Sequence, residues 1–118
     1  MPELPEVETT RRGIEPHVLK QRVVRVNVRQ PLLRWPVSPE LGTALPGDAF
    51  KSVGRRGKYL LLASARGTLL VHLGMSGSLR ILPADTPAGK HDHVDIEFDN
   101  QTLMRFTDPR RFGSFIWV

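Results

Sequence analysis

Two stretches of strict alternation constrain this chain more than anything else in it. In VVRVNVR (23–29) Val24, Val26 and Val28 alternate with Arg25, Asn27 and Arg29. In HVDIEF (93–98) Val94, Ile96 and Phe98 alternate with His93, Asp95 and Glu97. A period of two puts successive side chains on opposite faces of a pleated strand, so both stretches predict antiparallel strands with one buried and one wet face. Further short strands are expected at about 59–63, 68–73, 78–82, 102–106 and 114–118. Turn signals part them at Ala65-Arg66-Gly67, Gly74 to Gly77, Pro83 to Gly89 and Asp99-Asn100.

The N-terminus reads differently. Pro5 suits a first helical turn, where its missing N–H costs nothing, and Glu6 and Glu8 sit where the helix dipole favours negative charge. Leu4, Val7, Ile14 and Val18 fall near one face, interrupted by Arg11 and weakened by Gly13. This predicts a helix over roughly 5–15, ended or kinked by Pro16. Segment 30–50 carries Pro31, Pro36, Pro39 and Pro46 and reads as an irregular connection with at most a short helix. The expected fold is mainly β with a flanking helix. It is a two-sheet antiparallel β-sandwich or barrel preceded by an N-terminal α-helix, in one domain spanning 1–118.

Composition narrows the function. The absence of cysteine excludes disulfides and Cys-based zinc sites in these residues and fits a cytosolic protein. The longest apolar runs are strand-length, so no segment reads as a membrane-crossing helix, and Glu3, Glu6 and Glu8 break any apolar signal core. The formal charge is +5. Residues 1–50 hold seven Lys/Arg against six Asp/Glu, and 51–118 hold ten against six. The excess lies in the second part, with Lys51, Arg55, Arg56 and Lys58 in one cluster and Arg110 and Arg111 in another. Such a surface either attracts a polyanion, above all nucleic acid, or is simply a solvated basic face.

Several residues could carry chemistry. Removal of Met1 would leave Pro2 with a free secondary amine, and an ordinary terminal amine titrates near ~8, within reach of neutral pH. Such an amine can attack a sugar carbon or aldehyde to form an iminium, with Glu3 beside it to move protons. The plainer alternative is a frayed Pro2 and a helix-dipole Glu3. In GRRGKYLLL (54–62) Lys58 precedes an apolar strand beside Arg55 and Arg56, a setting for proton transfer or for phosphate contact. HLGMSGSL (72–79) puts Met75 at the tip of a turn in which Gly74, Ser76 and Gly77 leave it room to project. In DPRRFG (108–113) a turn presents Arg110, Arg111 and Phe112 together. Apolar wedges and an arginine beside an aromatic are what base-flipping proteins insert into a stack; a core Met and a salt-bridged turn are the bland alternatives. HDH (91–93) lacks enough ligands for a metal site, so His91 is assigned to phosphate contact. His17 and His72 have no evident partners, and Trp35 and Trp117 are assigned to the core.

Together PELPEVE, GRRGKYLLL, HLGMSGSLRI, KHDHVD and TDPRRFG resemble, in order and across the whole sequence, the bacterial formamidopyrimidine-DNA glycosylases. Endonuclease VIII shares the Pro-Glu start, but its opening and its turn motifs differ from those here. The resemblance implies a catalytic set of Pro2 as nucleophile at C1′ of the damaged nucleotide, Glu3 as the acid assisting sugar opening and base loss, and Lys58 aiding elimination. It implies DNA-binding roles for Met75, Arg110 and Phe112 as the wedge, and for His91 and Arg110 at phosphates. The implied activity is excision of oxidised purines, such as 8-oxoguanine and formamidopyrimidines, from double-stranded DNA, followed by β- and δ-elimination at the abasic site. The alternative from another class is a DNA-binding β module without chemistry; an RNA-binding barrel would want an aromatic row that is missing. The family's proteins continue into a helix–two-turn–helix module and a cysteine-rich zinc finger. The resemblance therefore covers their N-terminal catalytic domain and expects their single zinc ion outside these residues, with no cofactor within them and weak or no activity for this part by itself. A monomer working on DNA in the bacterial cytoplasm is expected, with no membrane partner.

Overall fold

The computed structural model describes residues 4–118. Helix α1 (Leu4–Val18) leads into β1 (Val23–Val28), a short α2 (Leu41–Ala44), and then β2 (Phe50–Arg56), β3 (Tyr59–Ser64), β4 (Thr68–His72), β5 (Ser78–Pro83), β6 (Asp92–Phe98), β7 (Thr102–Thr107) and β8 (Ser114–Trp117). The strands form two four-stranded antiparallel sheets, in the orders β1-β6-β7-β5 and β2-β3-β4-β8. The mainly β, two-sheet expectation with a leading helix is met. The core includes edge and tilted aromatic pairs that join the sheets, Phe50 with Phe98 and Phe106 with Phe115.

Helix α1 buries Val7, Ile14 and Val18 against this core. Arg11 occupies the stripe between them without breaking it, because its guanidinium is satisfied by Glu8 at 2.7 and 3.0 Å and by the Val53 carbonyl at 3.3 Å. The helix runs through Pro16 to Val18 instead of ending there. A proline deletes one backbone bond, and in the last turn the Leu19 N–H still reaches the Glu15 carbonyl at 3.1 Å.

Three sequence expectations are corrected. Strand β2 lies where only a basic cluster was read; a register shift between Phe50 and Ser52 destroys the alternation that would have announced it. Val24 is exposed, because a second shift between Val23 and Arg25 turns it away from the face that Val26 and Val28 share. Strand β6 has no wet face: Asp92, His93 and Asp95 are buried along with Val94 and Ile96. Segment 30–50 holds only the short α2, yet it supplies Leu33, Val37, Leu41 and Leu45 to the core.

Candidate nucleic-acid interface

Pro2 and Glu3 lie outside the described residues, so the geometry begins with Lys58. It sits in a two-residue hairpin turn joining β2 to β3, with Gly57 at the first position at φ 59°, a conformation that favours glycine. The register of the next hairpin, β3 with β4, pairs Tyr59 with His72, whose rings meet edge-on with centroids 4.9 Å apart. Together with Arg34, Trp35, Met75 and Phe112 they line a cleft of about 380 Å³. The Gly74 N–H donates to His72 Nδ1 at 3.0 Å, which requires that nitrogen to be unprotonated. Burial, with the charges of Lys58 and Arg34, holds the His72 pKa below its usual value and keeps the ring neutral.

The two turns read as wedges come together. Arg110 Nη1 lies 3.8 Å from Met75 Sδ, and Met75 and Phe112 are 49% and 44% exposed although both are large and apolar. Gly74 makes this possible. It takes φ 64°, and a Cβ there would lie 2.6 Å from the Phe112–Gly113 backbone. The glycine therefore brings the two turns into van der Waals contact, beyond leaving Met75 room to project.

His91 borders a second, basic pocket with Gln30, Lys90, His93, Pro109 and Arg111. Its neighbours are committed elsewhere. Asp92 accepts from the Gly89 N–H and the Thr107 hydroxyl, and His93 Nε2 lies 2.7 Å from the Asp108 carbonyl. Among the described residues no three His, Cys, Asp or Glu side chains gather to hold a metal, so these residues do not fit a zinc ion.

Sequence reasoning missed Arg34, Trp35, Tyr59 and His72 as cleft residues. Trp35, assigned to the core, is 55% exposed, whereas Trp117 does pack against the core. The Arg34 N–H bonds the Gly113 carbonyl at 3.2 Å, a tie between distant segments that no local pattern announces. Tyr59 and His72 were findable, since hairpin register alone pairs them. The basic cluster is also less uniform than its sequence. Glu8 takes Arg55 at 3.1 Å, along with Arg11 and Arg12, and these guanidiniums pull its carboxyl down to about 2, with Arg11 the largest influence.

The model of the formamidopyrimidine-DNA glycosylase N-terminal domain matches residues 1–115. The formamidopyrimidine-DNA glycosylase of Stenotrophomonas maltophilia (strain R551-3) is 61% identical over 117 residues, covering 99% of this chain and 43% of that protein. That of Syntrophotalea carbinolica is 61% identical over 118 residues, covering 100% of this chain and 44% of that protein. The chain thus spans less than half the length of these relatives. Among solved structures, the wild-type Lactococcus lactis Fpg (MutM) in complex with N7-benzyl-Fapy-dG-containing DNA superposes with a TM-score of 0.91 at 33% identity, over 99% of this chain and 44% of that one. The Lactococcus lactis Fpg in complex with abasic-site-containing DNA gives 0.91 at 32% identity, over 99% and 43%. Five motifs in order, the two-sheet fold and these matches agree: the chain belongs to the formamidopyrimidine-DNA glycosylase family.

Proposed function

We propose that this chain is the N-terminal, catalytic part of a bifunctional DNA glycosylase and abasic-site lyase that excises oxidised purines from double-stranded DNA. The observation that carries the reading is the exposed corner where Met75, Arg110 and Phe112 converge beside the cleft lined by Tyr59 and His72. Large apolar side chains held at the surface beside an arginine suit insertion into a base stack, and the energy they return offsets a few kcal/mol of unstacking. The similar Lactococcus lactis protein is named as a complex with abasic-site DNA and with a damaged-base analogue, which supports the same class of partner.

In this reading the Pro2 amine, free once Met1 is removed, attacks C1′ of the extruded nucleotide. The C1′–N bond breaks, the base leaves with a proton, and the sugar ring opens with Glu3 as the acid, forming an iminium on Pro2. The iminium acidifies the 2′ hydrogens. Loss of one expels the 3′ phosphate (β-elimination) and a second elimination expels the 5′ phosphate, with Lys58 assisting proton movement. His91, with Lys90 and Arg111 around its pocket, holds backbone phosphates, which gives salt-dependent affinity without choosing a base. The remaining DNA grip and the zinc ion of this reading belong to the family's C-terminal part, and the work is assigned to a monomer in the bacterial cytoplasm.

Borohydride trapping on an 8-oxoguanine duplex tests it, with Met1 removal verified by mass spectrometry. A full-length protein carrying this sequence should give a covalent protein–DNA adduct, reduced by Pro2→Gly and abolished on the intact lesion by Glu3→Gln. No adduct from the full-length protein sinks the assignment. Salt-sensitive binding by the 118-residue chain without an adduct identifies this part as a binding module on its own.

A further inference from the structure

Asp108 follows β7 and is completely buried, yet neither the wedge nor the cleft uses it directly. Each of its polar atoms is engaged with a different piece of the interface. Oδ1 accepts from the Ser76 hydroxyl at 2.9 Å, next to Met75. Oδ2 accepts from the Gly113 N–H at 2.8 Å, next to Phe112. Its N–H donates to the His91 carbonyl at 3.0 Å, and its carbonyl accepts from the Arg111 N–H at 3.2 Å and from His93 Nε2 at 2.7 Å, which fixes a proton on that nitrogen. Burying a carboxylate is costly unless donors satisfy it, and bonds to a charged acceptor are roughly twice as strong as neutral ones.

We propose that Asp108 is a positioning residue that locks the Met75 turn and the Arg110–Phe112 turn into one rigid wedge. The inference rests on the reading of these side chains as DNA-inserting. Without the carboxylate, the turns stay anchored at their bases by the His72–Ser114 and Ser78–Thr107 strand pairs, and their tips keep the Gly74–Gly113 approach and the Arg110–Met75 contact. Tips that can shift against each other yield when pushed against stacked bases; one braced unit does not.

The chemistry also says which substitution should be tolerated. In Asp108→Asn the amide oxygen can accept from Gly113 while the amide nitrogen donates to a reversed Ser76 hydroxyl, so both ties survive. Asp108→Ala loses both, and Ser76→Ala loses only the Met75 side. The test is a duplex bearing a tetrahydrofuran abasic analogue with 2-aminopurine as the neighbouring base, whose fluorescence rises when it is unstacked. Full-length proteins carrying this sequence are compared at saturating concentration, with thermal melting to confirm folding. The unsubstituted protein should raise the fluorescence. Ser76→Ala should lose most of that rise while its affinity falls by no more than about threefold, Asp108→Ala should lose more, and Asp108→Asn should stay close to the unsubstituted protein. If Asp108→Ala does not fold, Ser76→Ala decides. A folded Ser76→Ala protein with a full rise overturns the positioning role alone. An unsubstituted protein that binds no DNA overturns the underlying reading and this inference with it.

Discussion

The two sheets solve the same burial problem by opposite means. In β3 and β4, at the centre of β2-β3-β4-β8, the alternation is plain: Leu60, Leu62, Leu69 and Val71 face the core, while Leu61 and Leu70 remain half-exposed on the other side. In β1-β6-β7-β5 the central strands are buried on both faces, and the second face carries charge. Asp95 receives Arg105 at 2.9 and 3.0 Å and Arg29 at 2.7 Å, and Arg105 also donates to the Thr86 and Pro87 carbonyls at 2.8 and 3.0 Å. One sheet is stabilised by apolar area. The other is closed by an ion network that pins the loop leading to Lys90 and His91, so the side of the fold that presents this basic pocket is the side built from buried charge.

Removing a partner from that network should therefore do the most harm. Arg105→Met leaves Asp95 with Arg29 alone and strips two loop carbonyls of their donor. Breaking a buried pair in this way costs about 3–5 kcal/mol, read by denaturant unfolding. The double substitution Arg105→Met with Asp95→Leu should recover part of that loss, since the buried carboxylate is gone and the charge left behind, Arg29, is one-third exposed to water. In the apolar sheet, Leu62→Ala should cost about 2–4 kcal/mol through lost transfer energy and a cavity. An Arg105→Met protein as stable as Leu62→Ala, with no recovery in the double variant, would erase the contrast. Acid separates the sheets further. Burial pushes the Asp95 carboxyl up, but the Arg105 and Arg29 guanidiniums outweigh it and leave it below its usual 3.8. Its stabilisation is thus present above pH 3.8 and lost as pH falls through the lower folded value.

How far the sequence revealed this arrangement follows the same division. Strands β3 and β4 were legible because one-sided burial writes itself as alternation and local apolar runs. The polar positions of β6 were misread as wet, because a buried aspartate looks like an exposed one until the arginines from β7 and the end of β1 are placed against it. Met75, Arg110, Phe112 and His91 could be named from turn chemistry and motif, since each lies within a few residues of a glycine or proline signal. Arg34 and Trp35 could not, because what brings them to the cleft is a backbone bond to a residue 79 positions away. Asp108 was visible only as the start of a turn; that its oxygens brace two others depends on the packing of Gly74 on Gly113.

A smaller effect is expected at the cleft in the apolar sheet. His72 should titrate below 6.5, followed by NMR of its ring protons, because burial, Lys58 and Arg34 all oppose the charged form. The stability linked to its neutral form is present above pH 6.5 and is lost as pH falls through the lowered folded value. A midpoint above 6.5 would mean that the Gly74 N–H does not hold Nδ1 as an acceptor.

The smallest effect should come from the third charge cluster, Glu8 with Arg11, Arg12 and Arg55, which tests whether ion pairs matter here by themselves or only when buried. The cluster sits near the surface, where water and salt screen each pair. Its carboxyl is held at about 2 instead of 4.5, so its contribution is present above pH 4.5 and disappears as pH falls toward 2. Glu8→Gln should therefore change the melting temperature only slightly at neutral pH, flatten the acid limb between 4.5 and 2, and become indistinguishable from the unsubstituted protein at high salt. The same substitution removes the Glu8 partner of Arg55, so, if the proposed DNA-binding reading holds, affinity for duplex should rise modestly at low salt while stability barely moves. A large loss of stability at neutral pH would instead place Glu8 with Asp95, as a charge whose partners hold the fold together.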